Sequence, residues 1–284
     1  MLIKDALVFA TKELKNFPSK QLEARIILTY TLSITQEALV INYDKKITED
    51  EKSRFFEYIR RRKLFEPIAY ILKQKEFYGI NFYVDKNVLI PRADTETLVD
   101  KMLLEYNKYF FDRGIKILDL GTGSGAIATS LASCIPLSKI IATDICPKSL
   151  KIATNNAQLN KVSAQIKFIE SDWYLKLKDK KFNFIVSNPP YISSADKKYM
   201  SQETVLYEPQ KALFAKGNGL IHYNKIISDA RFFLKARGKI FIEIGFNQSK
   251  DVSKIFKKYE FNEIIIFKDL SGHDRVIVAT STYL

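Results

Sequence analysis

Apolar residues recur along this chain at two different periods, and the change of period falls near residue 76. Up to about residue 75 the spacing is that of helices. Ile3, Leu7, Ala10 and Leu14 fall on one face, as do Leu22, Ile26 and Tyr30, and no glycine interrupts the segment. Pro18-Ser19 separates these two helices, and Thr48-Glu49-Asp50-Glu51 gives a later one its cap and acidic first turn. That helix closes on Arg60-Arg61-Arg62-Lys63 before Pro67, a run that reads either as a solvated helix side or as a docking face. From Phe77 to Ile90, aromatic and β-branched residues surround Gly79 and the turn Asp85-Lys86-Asn87, the pattern of a short hairpin. Pro91-Arg92-Ala93-Asp94-Thr95-Glu96 then opens a helix reaching about Phe111.

Beyond Ile115 apolar strands alternate with helices. The strands fall at Ile115–Leu120, Lys139–Thr143, Gln165–Glu170, Phe182–Ser187, Gly238–Ile244, Glu263–Phe267 and Val276–Thr280, with helices near 125–134, 147–160, 219–234 and 248–258. Alternation of this kind predicts an α/β fold, a mainly parallel Rossmann-like sheet of seven strands covered on both faces. The last two strands have no room for a helix between them and must pair antiparallel. The chain therefore divides into a small all-α domain (residues 1–75), a β-hairpin linker (76–91) and an α/β domain (92–284), with no internal repeat and no low-complexity segment.

Composition changes this picture little. With 46% hydrophobic and 27% charged residues, the 284-residue chain is built for a sizeable core. The uncharged stretch Leu120–Ser138 holds three glycines, several Ser and Thr, and Pro136, so it reads as buried protein rather than a membrane span. Met1-Leu2-Ile3-Lys4-Asp5 places charges where a signal peptide needs apolar residues, so a cytoplasmic setting is expected. Cys134 and Cys146, helped only by His222 and His273, give neither a disulfide framework nor a metal site. The formal charge of +13 fits an acidic partner such as nucleic acid, and equally a global bias toward lysine.

The candidate chemistry lies at the ends of the strands. The first runs into Gly121-Thr122-Gly123-Ser124-Gly125, a turn whose glycines let the backbone approach a ligand. Taken alone, Gly121-x-Gly123-x-x-Ala126 also satisfies a relaxed dinucleotide fingerprint, so a nicotinamide enzyme stays open at this point. Asp144 ends the second strand, where a carboxylate accepts from both ribose hydroxyls or caps the helix after Pro147. Asp172 and Trp173 follow the third strand, placed for an adenine amino group and ring, which makes the three together an adenosine pocket.

The fourth strand delivers Asn188-Pro189-Pro190-Tyr191 to the same edge. Two prolines lock φ and remove two backbone donors, leaving acceptors: the Asn188 carboxamide oxygen and the Pro189 carbonyl. Two fixed acceptors suit the two coplanar N–H groups of an amide or an exocyclic amine, with Tyr191 able to stack on the plane. The predicted reaction is methyl transfer from S-adenosylmethionine to such a nitrogen, driven by positioning and needing neither a strong base nor a nucleophilic Cys.

Over nearly its full length the chain resembles the release-factor glutamine methyltransferases, the HemK/PrmC family. The resemblance is carried by Glu76-Phe77-Tyr78, Leu89-Ile90-Pro91-Arg92-Ala93-Asp94-Thr95-Glu96, Asp119 to Ala128, Asn155-Asn156-Ala157, Ser171-Asp172-Trp173 and Val186 to Ile192. Tyr207-Glu208-Pro209, Ala212-Leu213, Gly219-Leu220 and Glu243-Ile244-Gly245 add to it. Lys73 stands where the family usually has glycine.

The resemblance implies a seven-stranded S-adenosylmethionine methyltransferase sheet, with a helical N-terminal substrate-recognition domain joined by a hairpin. It implies cofactor contacts from Gly121 to Gly125, Asp144, Trp173 and Asn188, and a glutamine held by Asn188 to Tyr191, with Arg92, Thr95 and Glu96 lining the same cleft. The implied substrate is the glutamine of the Gly-Gly-Gln loop of peptide chain release factors, methylated on its side-chain nitrogen by a monomeric enzyme. The same Asn-Pro-Pro-Tyr loop could hold a flipped adenine or cytosine. The small helical domain lacks the aromatic and basic interleaving of a nucleic-acid reader, so direct nucleic-acid binding is not expected.

Overall fold

The computed structural model describes residues 1–282. In chain order the elements are α1 (Ile3–Glu13), α2 (Lys20–Leu32), α3 (Gln36–Ile41), α4 (Glu49–Lys63), α5 (Ile68–Leu72), β1 (Lys75–Phe77), β2 (Ile80–Phe82), α6 (Glu96–Tyr109), β3 (Ile115–Leu120), α7 (Ala126–Cys134), β4 (Ser138–Asp144), α8 (Pro147–Leu159), β5 (Ile166–Glu170), β6 (Phe182–Ser187), α9 (Gln202–Tyr207), α10 (Gln210–Leu213), α11 (Ile221–Phe233), β7 (Leu234–Glu243), α12 (Ser249–Lys258), β8 (Phe261–Lys268) and β9 (Asp274–Ser281). A 3-10 turn, Ala93–Thr95, leads into α6. Among the described residues no helix is long and apolar enough to cross a membrane.

The chain forms two compact units, one of Met1–Gln74 with Ser201–Tyr207, the other of Lys75–Met200 with Glu208–Leu284. The sequence gives no hint of that return of α9 to the first unit, and it placed the hairpin as a linker, whereas β1 and β2 belong to the second unit. The reason for the second difference is local. Asn156 on α8, fully buried, accepts from Tyr83 N at 2.7 Å and donates to Tyr83 O at 3.0 Å, pinning the hairpin to the α/β core.

The first unit buries Ile3, Ala6, Ala10 and Leu14 of α1 against Ala24, Ile27 and Leu28 of α2 and Phe55 and Ile59 of α4. The face expected for α2 is wrong: Leu22 and Tyr30 are exposed. A strict four-residue step drifts around a helix of 3.6 residues per turn, and the three-four alternation of Ala24, Ile27, Leu28 and Thr31 is the stripe that stays buried. α4 starts on a capping box, Thr48 with Glu51, worth about 1 kcal/mol.

The basic run at the end of α4 is split: Arg60 and Lys63 are exposed, as a solvated helix side would be, while Arg62 is buried. Arg60 pairs with Glu57 at 2.7 Å, Arg61 with Glu66 at 2.5 Å, and Lys63 with Glu13. Arg62, only 5% exposed, is held by Glu23 at 2.8 Å and Glu203 at 2.5 Å and lies over the Phe17 ring. Lys73 ends α5 at φ +57°, the left-handed conformation in which helices commonly place glycine.

The second unit is built on one sheet of order β5-β4-β3-β6-β7-β9-β8. β5, β4, β3, β6 and β7 run parallel, and β9 pairs antiparallel with both β7 and β8. The short β8–β9 connection allows no other arrangement. The central strands β3 and β6 are buried almost throughout because helices cover both faces of the sheet. One face packs Leu118, Ile185, Ile240 and Ile242 against Tyr223, Ile226 and Ile227 of α11 and Val252 and Phe256 of α12. Parallel order puts the carboxyl ends of β3, β4, β5, β6 and β7 on one edge, and every loop singled out above leaves from it.

Candidate functional site

β3 ends in the glycine loop. Gly121 N and Thr122 N both donate to Thr143 O of β4 at 2.9 Å, so the loop is fastened to its neighbour as it turns. Gly125, at φ +79°, opens α7, and a Cβ there would lie 2.9 Å from Ala153 Cβ of α8. Only glycine fits both the conformation and the space. Under the loop lies Asp119, wholly buried, whose Oδ2 accepts from Thr122 Oγ1 at 2.6 Å and whose carboxylate also takes a backbone hydrogen bond from Ala128. Burial pushes this carboxyl up to about 7; the Thr122 hydrogen bond opposes the rise and the nearby Asp144 charge adds to it.

Asp144, at the end of β4, accepts from Gly123 N at 2.9 Å and Cys146 N at 2.8 Å. Burial raises its pKa, and these backbone donors oppose the rise. It does not cap α8; Cys146 occupies that position, without a side-chain bond. Two accepted hydrogen bonds leave a carboxylate with further lone pairs for a ligand. Beyond β5, Asp172 and Trp173 follow, the indole 5.4 Å from the ring of His222 on α11. Burial and Lys225 lower the His222 pKa, and the nearby Asp172 charge opposes the fall.

The second loop leaves β6. Ser187 Oγ donates to Leu120 O at 2.8 Å, tying the roots of the two loops together. Asn188 Nδ2 donates to Thr95 Oγ1 at 3.1 Å, which leaves its Oδ1 as the end free to accept. Tyr191 is clamped from below: its hydroxyl donates to Glu243 Oε1 at 3.2 Å, and its carbonyl accepts from Gln248 Nε2 at 3.0 Å. Glu243, the last residue of β7, is 2% exposed, and burial pushes it up to about 7 against the lowering influence of Thr95 and Arg275.

These loops enclose a cavity of about 420 Å³ within the second unit. Gly121, Gly123, Asp144, Asp172, Trp173, Asn188 and Pro190 line it. Thr122, Ser124, Gly125, Pro189 and Tyr191 belong to the same two loops but are not among the lining residues. Arg92 and Glu96 also lie off the wall. Arg92 pairs with the buried Glu208, and Glu96 Oε1 accepts from Tyr78 N at 2.8 Å.

Residues that strand-end reasoning passed over complete the rim: Asn87 to Leu89, Pro209 to Ala212, and His222. Glu208 joins the two rim segments, since its Oε2 accepts from Ile90 N at 3.1 Å. The only sequence signal for it was the Tyr207-Glu208-Pro209 match, which named a segment and no role.

Two family models cover the chain, the methyltransferase small domain over residues 95–236 and the PrmC N-terminal domain over residues 5–72. The release factor glutamine methyltransferase of Francisella tularensis is 42% identical over 262 residues, covering 92% of this chain and 91% of that protein. The chain belongs to the release factor glutamine methyltransferase family. The family protein of Buchnera aphidicola is 40% identical, with 94% of each chain covered.

The bifunctional methyltransferase of Rickettsia prowazekii is 45% identical over 90% of this chain and 52% of its own length, so the chain spans about half of such relatives. Among solved structures, the catalytic domain of hMettl16 in complex with a MAT2A 3'UTR hairpin superposes with a TM-score of 0.58. It has 18% identity and covers 84% of this chain and 83% of that one. A methyltransferase of Pyrococcus furiosus gives 0.52 at 17% identity, covering 83% and 100%. At such identities these two show that the family's sheet is the methyltransferase fold.

Proposed function

We propose that this protein transfers a methyl group from S-adenosylmethionine to the side-chain amide nitrogen of the glutamine in the Gly-Gly-Gln motif of peptide chain release factors. The observation that carries the reading is the orientation of Asn188. With Nδ2 committed to Thr95, its Oδ1 is the atom left to receive a substrate N–H. Membership of the family and the release factor methyltransferase names of its relatives support the substrate.

The residues present fit the cofactor. The glycine loop turns without side chains toward a cavity of ligand size, and a Cβ on Gly123 would meet nothing within 4 Å. Asp144 offers acceptors to ribose hydroxyls, and Asp172 and Trp173 offer a carboxylate and a ring face to an adenine. When bound, the cofactor supplies a methyl group on a positively charged sulfur.

Asn188 Oδ1 and the Pro189 carbonyl accept the two amide N–H groups, which orients the nitrogen and favours a more pyramidal, more nucleophilic geometry. Pro189 and Pro190 stiffen the loop so that little order is lost when substrate docks. Correct placement alone is worth roughly 7–11 kcal/mol of barrier. The nitrogen becomes acidic once methylated and loses its proton without a strong base. Arg92, Glu96 and Tyr191 act by holding the site in shape. The helical unit recognises the release factor, and the enzyme works in the cytoplasm as a monomer on protein rather than nucleic acid.

The test is incubation with labelled S-adenosylmethionine and, separately, a release factor, its Gln→Ala loop variant, and single- and double-stranded nucleic acid. Label is expected on the release factor alone. Transfer to nucleic acid with the release factor spared would overturn the substrate.

A further inference from the structure

A carboxamide has a donor end and an acceptor end, and only one order presents the acceptor to a substrate N–H. At Asn188 that order is set by Thr95, whose Oγ1 receives the Nδ2 proton at 3.1 Å. A hydroxyl that receives on its oxygen keeps one proton to give. Thr95 is 5% exposed, and the group beside it with which it shares a side-chain hydrogen bond is Glu243.

That carboxylate accepts from the Tyr191 hydroxyl through Oε1 and takes a side-chain hydrogen bond from Thr95. Tyr191 and Asn188 are the two ends of the same four-residue loop. One buried acid on β7 therefore touches both, Tyr191 directly and Asn188 by way of Thr95.

We propose that Glu243 is the positioning residue of the methyl-acceptor site: an ionised carboxylate can only accept, so it fixes the direction of hydrogen bonding through Thr95 and keeps the Asn188 oxygen turned toward the substrate amide. The proposal rests on the role given to Asn188 above.

The groups facing Glu243 come from four elements. They are Tyr191 after β6, Arg275 on β9, Asp94 in the turn before α6, and Tyr223 on α11. Arg275 is already engaged, by Asp269 at 3.0 Å and Asp94 at 3.3 Å, so it tempers the charge of Glu243 without pairing to it. With Glu243 poised at about 7, a fall in pH protonates it, one oxygen becomes a donor, and the order through Thr95 is no longer enforced.

The experiment follows the Asn188 side-chain NH2 signals by NMR in the full chain, identified by their loss in Asn188→Asp. Between about pH 5.5 and 8.5 they should shift with a midpoint near 7 in the wild type and stay fixed in Glu243→Gln. A wild-type signal that does not titrate, or one that titrates equally in Glu243→Gln, overturns the proposal.

In the transfer assay Thr95→Val should lower kcat about tenfold or more, the equivalent of one hydrogen bond, with KM for the cofactor little changed. Thr95→Ser should restore it. Normal kcat in a folded Thr95→Val protein also overturns the proposal. If the wild type fails to methylate a release factor, the function reading falls, and the NMR titration still decides the role of Glu243.

Discussion

The two loops that meet at the cavity are both seated on a buried carboxylate, and they differ in where the partners of that carboxylate come from. Asp119 is answered from inside its own loop, by Thr122 three residues on, and the loop is shaped by backbone freedom at Gly121, Gly123 and Gly125. Glu243 is answered by hydrogen bonds from Tyr191 and Thr95 and by the nearby charge of Arg275, which belong to three other stretches of chain. The buried acid of the first loop finds its hydrogen-bond partners as soon as β3 and α7 are in place, and the loop backbone is then fastened to Thr143 and Asp144 of β4. The second is shaped by rigid prolines and acquires its support only when β6, β7, β9 and the turn before α6 come together. The loop shaped for a cofactor by its backbone braces its buried acid locally. A loop that must aim one carboxamide needs bracing from several directions.

The largest effect should fall on the second loop. Asn188→Ala should keep cofactor binding by calorimetry and lose on the order of 100–1000-fold in turnover, as expected when an oriented polar group at the reacting centre is removed. Near-normal turnover would mean that the loop does not aim the substrate.

Next comes pH. Asp119 and Glu243 sit at about 7 instead of their ordinary 3.8 and 4.5. The folded chain thus holds these protons more tightly than the unfolded chain. The resulting stability is fully present below the ordinary values and is lost as pH rises through 7. Urea midpoints at pH 5 and pH 8 should show Asp119→Asn and Glu243→Gln each reducing this slope, by up to a few kcal/mol. A slope unchanged in both variants would remove the likeness between the two loops.

Gly125→Ala puts a Cβ against Ala153 at a strained φ and should cost about 1–3 kcal/mol, read from thermal unfolding, along with weaker cofactor binding. Smallest is Tyr191→Phe. It deletes one hydroxyl bond to Glu243 and should cost about 1 kcal/mol, because Thr95 and Arg275 still attend the carboxylate. A much larger loss would show that Tyr191 carries more of the bracing than its neighbours.

The same contrast explains what could be read from the sequence. The α/β alternation, the antiparallel end of the sheet and the strand-end residues Gly121, Asp144, Trp173 and Asn188 were legible because each depends on local period or on a turn following a strand. The buried face of α2 was misread because a fixed four-residue step ignores helical drift. The pairing of Arg62 with Glu203 could not be read at all, since 141 residues separate the partners. The Glu243 bracing and the Glu208 tie to Ile90 were hidden for the same reason. Each acid looks like an ordinary strand-end or loop residue until the fold supplies its donors.

The place of β9 has a consequence for the order in which the sheet is assembled during synthesis. β9 lies between β7 and β8 yet is synthesised after both. At roughly 5–20 residues added per second, the growing chain spends an interval with the glycine loop already made and the facing edges of β7 and β8 unpaired. Bare edges of that kind recruit strands from other chains. Arg275, one of the groups attending Glu243, arrives only with β9 itself. Until β9 inserts, the nascent chain therefore carries two unpaired edges and lacks part of the frame of its acceptor loop, and one strand ends both conditions at once.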